Sequence, residues 1–114
     1  MGDAVARDNL DLLKGTLGLL LLKALAGGKR HGHEIMRWIR EVTDETFLLE
    51  EGAIYPALHR LESRGLVAAS WGMTENNRKA KYYTLTQAGR RQLDAETERW
   101  ERYVATVGKV LHSA

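Results

Sequence analysis

The sequence predicts a mainly α-helical fold carrying one β-hairpin: three helices, the hairpin, then one long helix. Three observations predict it. Apolar residues recur with helical spacing in three segments before Arg64. They then alternate along Leu66 to Met73, with a return segment rich in Tyr and Thr at Lys81 to Leu85. After Thr86 a charged stretch carries residues at steps of four and three.

The first helix is expected from a cap at Asp8 or Asn9 to about Ala26. Leu10, Leu13, Leu17, Leu20 and Leu21 share one face, and Leu12, Leu19, Leu22 and Leu25 cover much of the rest. A helix apolar nearly all round is buried on two sides. In a chain this small, one of those sides is expected to meet a second subunit. Gly27 and Gly28 end it. The second helix, Gly32 to Thr43, carries Ile35, Trp38, Ile39 and Val42 at i, i+3, i+4 and i+7. A turn region follows from Thr43 to Glu50.

The third helix is expected from Gly52 to Arg64, with Ile54, Leu58 and Leu61 as its buried stripe and Ala57 beside them. Pro56 is expected in its first turn, where backbone N–H groups lack intrahelical partners. Gly65 closes it. In the strand from Leu66 to Met73, Val67, Ala69 and Trp71 share a face. Trp71, like Trp38, is expected to lie in the core or to pack on the strands. Thr74 to Lys79 is polar, and Asn76 and Asn77 suit left-handed turn positions. Thr86 caps the final helix, Gln87 to about His112. There Leu93, Thr97, Trp100, Val104, Val107 and Leu111 form a heptad seam. So long a helix has nothing of its own length to pack on within the chain, so a second copy is the expected partner.

Composition narrows the function. The chain has 114 residues, enough for one domain and a modest core. Without cysteine it has no disulfide, thiol catalysis or thiolate metal site. The N-terminus lacks the basic start of a signal peptide. The apolar run from Gly15 to Leu22 is too short for a bilayer, which needs about 20 residues. A cytoplasmic protein is expected. No supported Ser/His/Asp arrangement and no phosphate loop appear, so no enzyme is expected. Glu45, Glu50 and Glu51 suit a turn and a helix N-terminus. His31 and His33 lack a neighbouring Cys or carboxylate cluster, so neither metal nor cofactor is expected.

Charge is concentrated. From Gly52 to Arg91 there are seven basic residues against Glu62 and Glu75, a net +5 in a chain of net +2. Three helices followed by a hairpin with a basic tip is the winged helix-turn-helix order. A helix about 10–12 Å across fits a major groove about 12 Å wide. The outward face of the third helix includes Ala53, Tyr55, Pro56, His59 and Arg60. Ala53 and Pro56 suit a thymine methyl, Tyr55 a phosphate, and His59 and Arg60 phosphates or base edges. Tyr55 has a second reading, packing against the second helix. In the wing, Arg78, Lys79 and Lys81 suit phosphates, aided by Asn76 and Asn77. Lys14 either touches the DNA backbone or is simply exposed.

Two runs carry a family resemblance. Glu51 to Glu62, EGAIYPALHRLE, resembles the recognition helix of PadR-type transcriptional regulators. Trp71-Gly72 through Asn76 to Thr86, with Ala88-Gly89 after it, is similar to their wing and its exit. Leu13 to Leu17 and His31-Gly32 also resemble the family. His33 stands where an aromatic is common, and Ala53 where Ser is common. The resemblance covers roughly Leu10 to Leu111 and implies a homodimeric repressor of the smaller subgroup, with one helix after the wing.

The expected division is residues 10–86 as a winged helix-turn-helix DNA-binding domain and residues 87–112 as a dimerisation helix. Leu10, Leu13, Leu17, Leu93, Trp100, Val104, Val107 and Leu111 are the expected dimer contacts. The expected partners are double-stranded operator DNA, a second copy and a planar aromatic effector, with no membrane. Trp100 reads either as a seam residue or as a stacker for that effector near the two-fold axis, a place where some small family members bind planar compounds. A ligand-sensing or protein-interaction winged-helix module without strong DNA binding is the alternative.

Overall fold

A computed structural model describes residues 13–114 of the chain. Asp8, Asn9, Leu10 and Leu12 lie outside the described residues. The first described helix, α1, is Leu17–Leu25. Residues 14–16 form a turn in which the Thr16 N–H donates to the Leu13 carbonyl at 3.0 Å. The expected single helix through this region is therefore interrupted. Gly15 and β-branched Thr16, both poor helix formers, stand at the interruption. The α1 residues Leu21, Leu22 and Leu25 are fully buried.

A two-residue strand, β1 (Arg30–His31), precedes α2 (Gly32–Val42). Two residues carry no alternation, so the sequence pattern did not disclose it. His31 caps α2 in a reciprocal pair. Its Nδ1 accepts the Glu34 N–H at 3.3 Å, and Glu34 Oε1 accepts the His31 N–H at 3.0 Å. This is the capping-box arrangement with an imidazole in place of a hydroxyl. Ile35 and Ile39 are buried, and Trp38 packs half-buried beneath the Arg30 guanidinium. Val42 departs from its expected burial and is 56% exposed. The helix ends there, and the chain turns away through Asp44 and Glu45, both at positive φ. The Thr43 hydroxyl donates to the Ile39 carbonyl at 2.7 Å and accepts the Phe47 N–H at 3.1 Å.

Helix α3 spans Glu51–Ser63 and buries Ile54, Ala57, Leu58 and Leu61, the expected stripe. Pro56 is not in its first turn. With Glu51 as the first helical residue, Pro56 is the sixth, inside the helix. It cannot donate to the Gly52 carbonyl four residues back. Gly65, at φ +74°, closes α3 as expected.

Strands β2 (Val67–Met73) and β3 (Lys79–Leu85) pair antiparallel from Val67↔Leu85 to Met73↔Lys79. Strand β3 starts two residues earlier than expected. It also takes β1 on its other edge, giving the order β1-β3-β2. Between β2 and β3, the Arg78 N–H donates to Thr74 Oγ1 at 3.1 Å, and Asn77 alone of the two asparagines is left-handed, at φ 62°. Trp71 is a correction to its core expectation: it is 65% exposed, although Lys79 lies over its ring.

Helix α4 runs Gln87–Leu111. Thr86 Oγ1 accepts the Gly89 N–H at 3.0 Å while donating to the Gly65 carbonyl at 2.7 Å. One hydroxyl thus caps α4 and ties it to the end of α3. Gly89 lies against the Leu66 carbonyl, where a Cβ would collide with backbone. Leu93 enters the common core with Leu66, Val67, Tyr83 and the buried residues of α1 to α3. Burying each such Leu or Ile contributes about 1.5–3 kcal/mol. At 1.5 Å per residue, the 25 residues of α4 reach about 37 Å. Its second half therefore runs past the core.

Candidate nucleic-acid interface

Helix α3 is held with one face on the core and the other in solvent. Tyr55, Pro56, His59 and Arg60 are exposed along the second face, and Ala53 is half-buried at its start. Among the described residues, neither Arg60 nor Arg78 makes an ion pair. Both guanidinium groups are therefore free to meet an anion.

Tyr55 makes the contact of its second reading. Its ring lies on Gly32 at the start of α2, so close that a Cβ at Gly32 would fall 2.6–2.7 Å from ring carbons and nearer still to the hydroxyl oxygen. Burial, then the Glu51 carboxylate and Tyr83, raise the Tyr55 pKa above its ordinary 10.0. At neutral pH the hydroxyl is thus a protonated donor. The residue still keeps 38% of its surface exposed, so packing and donation to an external acceptor are compatible. Gly32 was not singled out from sequence as a support for this residue. Its signal was a glycine at the first helical position, where a side chain is normally welcome.

At the head of the same face His33 Nε2 lies 3.0 Å from Glu51 Oε1, joining the starts of α2 and α3. Both side chains are exposed, so the pair adds little stability. Lys14 is exposed, in the turn before α1.

The hairpin divides its cations. Arg78 and Lys79 are exposed, beside exposed Asn76 and Asn77. Lys79 Nζ sits 5.0 Å from the centroid of the Trp71 ring. Lys81 is engaged inward instead. Its Nζ donates to Glu62 Oε1 at 3.3 Å and lies over the Tyr83 ring. It braces the hairpin against the last turn of α3, a contact across nineteen positions that no local motif announces.

The expected dimer contacts separate in the same way. Leu13 and Leu93 are buried within the chain, and Leu17 packs half-buried on its core. Leu10 lies outside the described residues. Trp100 is 45% exposed, Val104 and Leu111 are exposed, and Val107 is half-buried. Trp100 stacks on Tyr103 at 6.2 Å between ring centroids. A groove of about 1010 Å³ runs between α1 and α4, lined by Leu13, Leu19, Leu20, Phe47, Leu93 and Trp100 among others. Among the described residues no group of three or more His, Cys, Asp or Glu is placed to hold a metal ion. None of the described helices is long and apolar enough to cross a membrane.

Residues 21–95 match the family described as Transcriptional regulator PadR-like family. The chain belongs to this family. Its PadR fold also matches solved structures. A PadR family transcriptional regulator from Eggerthella lenta is 31% identical, with a TM-score of 0.81 over 99% of this chain and 96% of that one. A transcriptional regulator from Clostridium thermocellum is 30% identical, with a TM-score of 0.79 over 87% and 96%. The transcriptional regulator YqjI of Escherichia coli is 29% identical over 76% of this chain, which spans only 40% of YqjI's length. As a PadR-family member the chain is a DNA-binding regulator of transcription and not an enzyme.

Proposed function

We propose that the chain represses transcription by binding operator DNA as a homodimer. Residues 10–86 are the DNA-binding unit and residues 87–112 the dimerisation helix. Pro56, His59 and Arg60 of α3, with Ala53 and Tyr55 near its start, meet the major groove and its phosphates. Arg78 and Lys79 meet the flanking backbone, aided by Asn76 and Asn77, and Lys14 adds a backbone contact. Lys81 acts mainly by holding the wing against Glu62. The observation that carries this reading is that brace. It fixes a hairpin tipped by two exposed cations beside a helix whose outer face is open. Two copies reading half-sites about 34–36 Å apart would match one helical turn of DNA.

The apolar groove beside Trp100 supports a second element of the reading. A planar aromatic molecule seated against Trp100 at the dimer seam releases the DNA, provided it binds one spacing of the recognition helices better than the other.

Fluorescence anisotropy of duplex DNA from the chain's own upstream region tests the proposal. Specific binding falls linearly with log salt, and Arg78→Ala/Lys79→Ala makes the slope shallower by about one to two. No binding at low salt to either this duplex or a scrambled one would instead favour a ligand-sensing or protein-interaction module.

A further inference from the structure

The hairpin carries a surface that neither the core nor the basic tip accounts for. Directly opposed residues on paired strands share a face. On the face that holds Val67, Ala69, Leu85 and Tyr83 at the core, the pattern continues outward as Trp71↔Lys81 and Met73↔Lys79. Trp71 is 65% exposed and Met73 60% exposed, so this end of the face contributes little to folding. The opposite face of β2 is Ala68, Ser70 and Gly72, small by comparison. Large apolar side chains gathered on one exposed surface mark a contact with another molecule.

The surroundings specify which kind. Lys79 Nζ lies 5.0 Å from the Trp71 ring centroid, and Lys81, on the same strand β3 and directly opposite Trp71, reaches Glu62 of α3. Glu75 is the hairpin's single acidic residue, set against Arg78, Lys79 and Lys81. An apolar strip edged by cations complements the wall of a DNA groove, where deoxyribose carbons are edged by phosphates. A partner protein with an apolar docking strip would gain nothing from this cationic border unless it were acidic itself.

We propose that Trp71 and Met73 form an apolar DNA contact on the α3-facing side of the wing, packing on the sugar wall of the groove while Lys79 takes the adjoining phosphate. This rests on the DNA-binding reading above and adds to it a contact that is not electrostatic. The difference is measurable. A phosphate contact releases counterions and contributes to the salt slope, whereas a contact to sugar carbons does not.

The test uses the full chain and the same duplex. Trp71→Ala weakens binding by about tenfold, the scale of losing one aromatic–nucleotide contact, with the salt slope unchanged. Trp71→Phe restores most of the affinity. In a Trp38→Phe/Trp100→Phe background, the emission of Trp71 changes in step with DNA anisotropy. Because Trp71 is mostly exposed, Trp71→Ala and Trp71→Phe leave the fold intact, which circular dichroism checks, and the Trp38→Phe/Trp100→Phe protein serves as its own reference for sedimentation and DNA affinity. Unchanged affinity in Trp71→Ala would overturn the inference while leaving the DNA-binding reading in place. A loss accompanied by a shallower slope would overturn it too, because the ring would then only be positioning Lys79. So would a shift in sedimentation with DNA affinity unchanged, which would assign the patch to a protein partner. Failure of the unsubstituted chain to bind any duplex would remove both readings together.

Discussion

Tyr55 packs on Gly32 while keeping the exposed surface that the proposed recognition role requires. Its ring fills the space that a side chain at position 32 would need. Gly32→Ala is therefore expected to destabilise the fold by about 1–3 kcal/mol, the usual cost of forcing extra volume into a packed contact. Tyr55→Phe does not rescue it, since ring carbons as well as the hydroxyl occupy the space, whereas Tyr55→Ala does. Urea midpoints of the four proteins in that double-mutant cycle measure the coupling. Additive effects of Gly32→Ala and Tyr55→Ala would refute the contact. A second consequence concerns alkaline pH. Burial raises the pKa of Tyr55 and of Tyr83 above 10.0; Glu51 adds to the first, while for Tyr83 Lys81 opposes the rise and Glu62 adds to it. The unfolded chain thus loses these phenolic protons first, and binds fewer protons than the folded one above pH 10. Stability is unaffected below that value and falls as pH rises through the raised native pKa values. Urea midpoints hold up to about pH 10 and decline above it, and Tyr55→Phe/Tyr83→Phe flattens the decline. An equal decline in both proteins would assign it to other groups.

Among the elements, α3 carries a local conflict. Pro56 stands six residues into a helix, without an N–H for the Gly52 carbonyl, at a place where proline usually costs about 3 kcal/mol. Its side chain is exposed and does no core packing. Pro56→Ala is expected to raise stability by about 1–3 kcal/mol, read as an increase in urea midpoint, while weakening DNA binding. A stability loss instead would mean that the proline fits its surroundings better than the helix rule allows. The misplaced first turn also shows where sequence reading stops. The buried stripe Ile54, Ala57, Leu58 and Leu61 was legible because helical spacing and burial coincide there. The hairpin was legible because its alternation is anchored by Val67 at one end. Alternation carries no information about where the core ends, however, and so Trp71 reads like Ala69 yet lies outside. Val42 fails for the same reason at the end of α2. Strand β1 was too short to leave a period. The Lys81–Glu62 brace depends on how β3 meets α3, which no spacing encodes. In the candidate interface, then, the exposed α3 face and the wing tip were readable as a pattern. The division of labour between Lys79 and Lys81 required the packed elements.

At the scale of the whole molecule, the shape itself argues for a partner. Helix α4 runs past the core, and its large exposed apolar residues begin at Trp100 and continue through Tyr103, Val104, Val110 and Leu111, the last 73% exposed. A lone amphipathic helix projecting into water has no tertiary packing to hold it, and most helical stability comes from such packing. The heptad read from sequence is thus split by position. Leu93 is committed to the chain's own core, and the seam proposed for a second copy starts further along, at Trp100. That shift makes a specific expectation. Val104→Glu/Val107→Glu places like charges at the centre of the proposed seam without touching the core. The unsubstituted chain is expected to sediment at twice its 12.8 kDa mass and the variant at 12.8 kDa. Circular dichroism of the variant keeps the winged-helix signal but loses helix from the second half of α4. DNA affinity falls by about 10²-fold or more, because two linked half-site contacts become two independent ones. A variant that stays dimeric would place the interface elsewhere, with the apolar groove between α1 and α4 as the next surface to alter. A monomeric variant that still binds DNA at full strength would leave the dimer real but separate it from operator recognition.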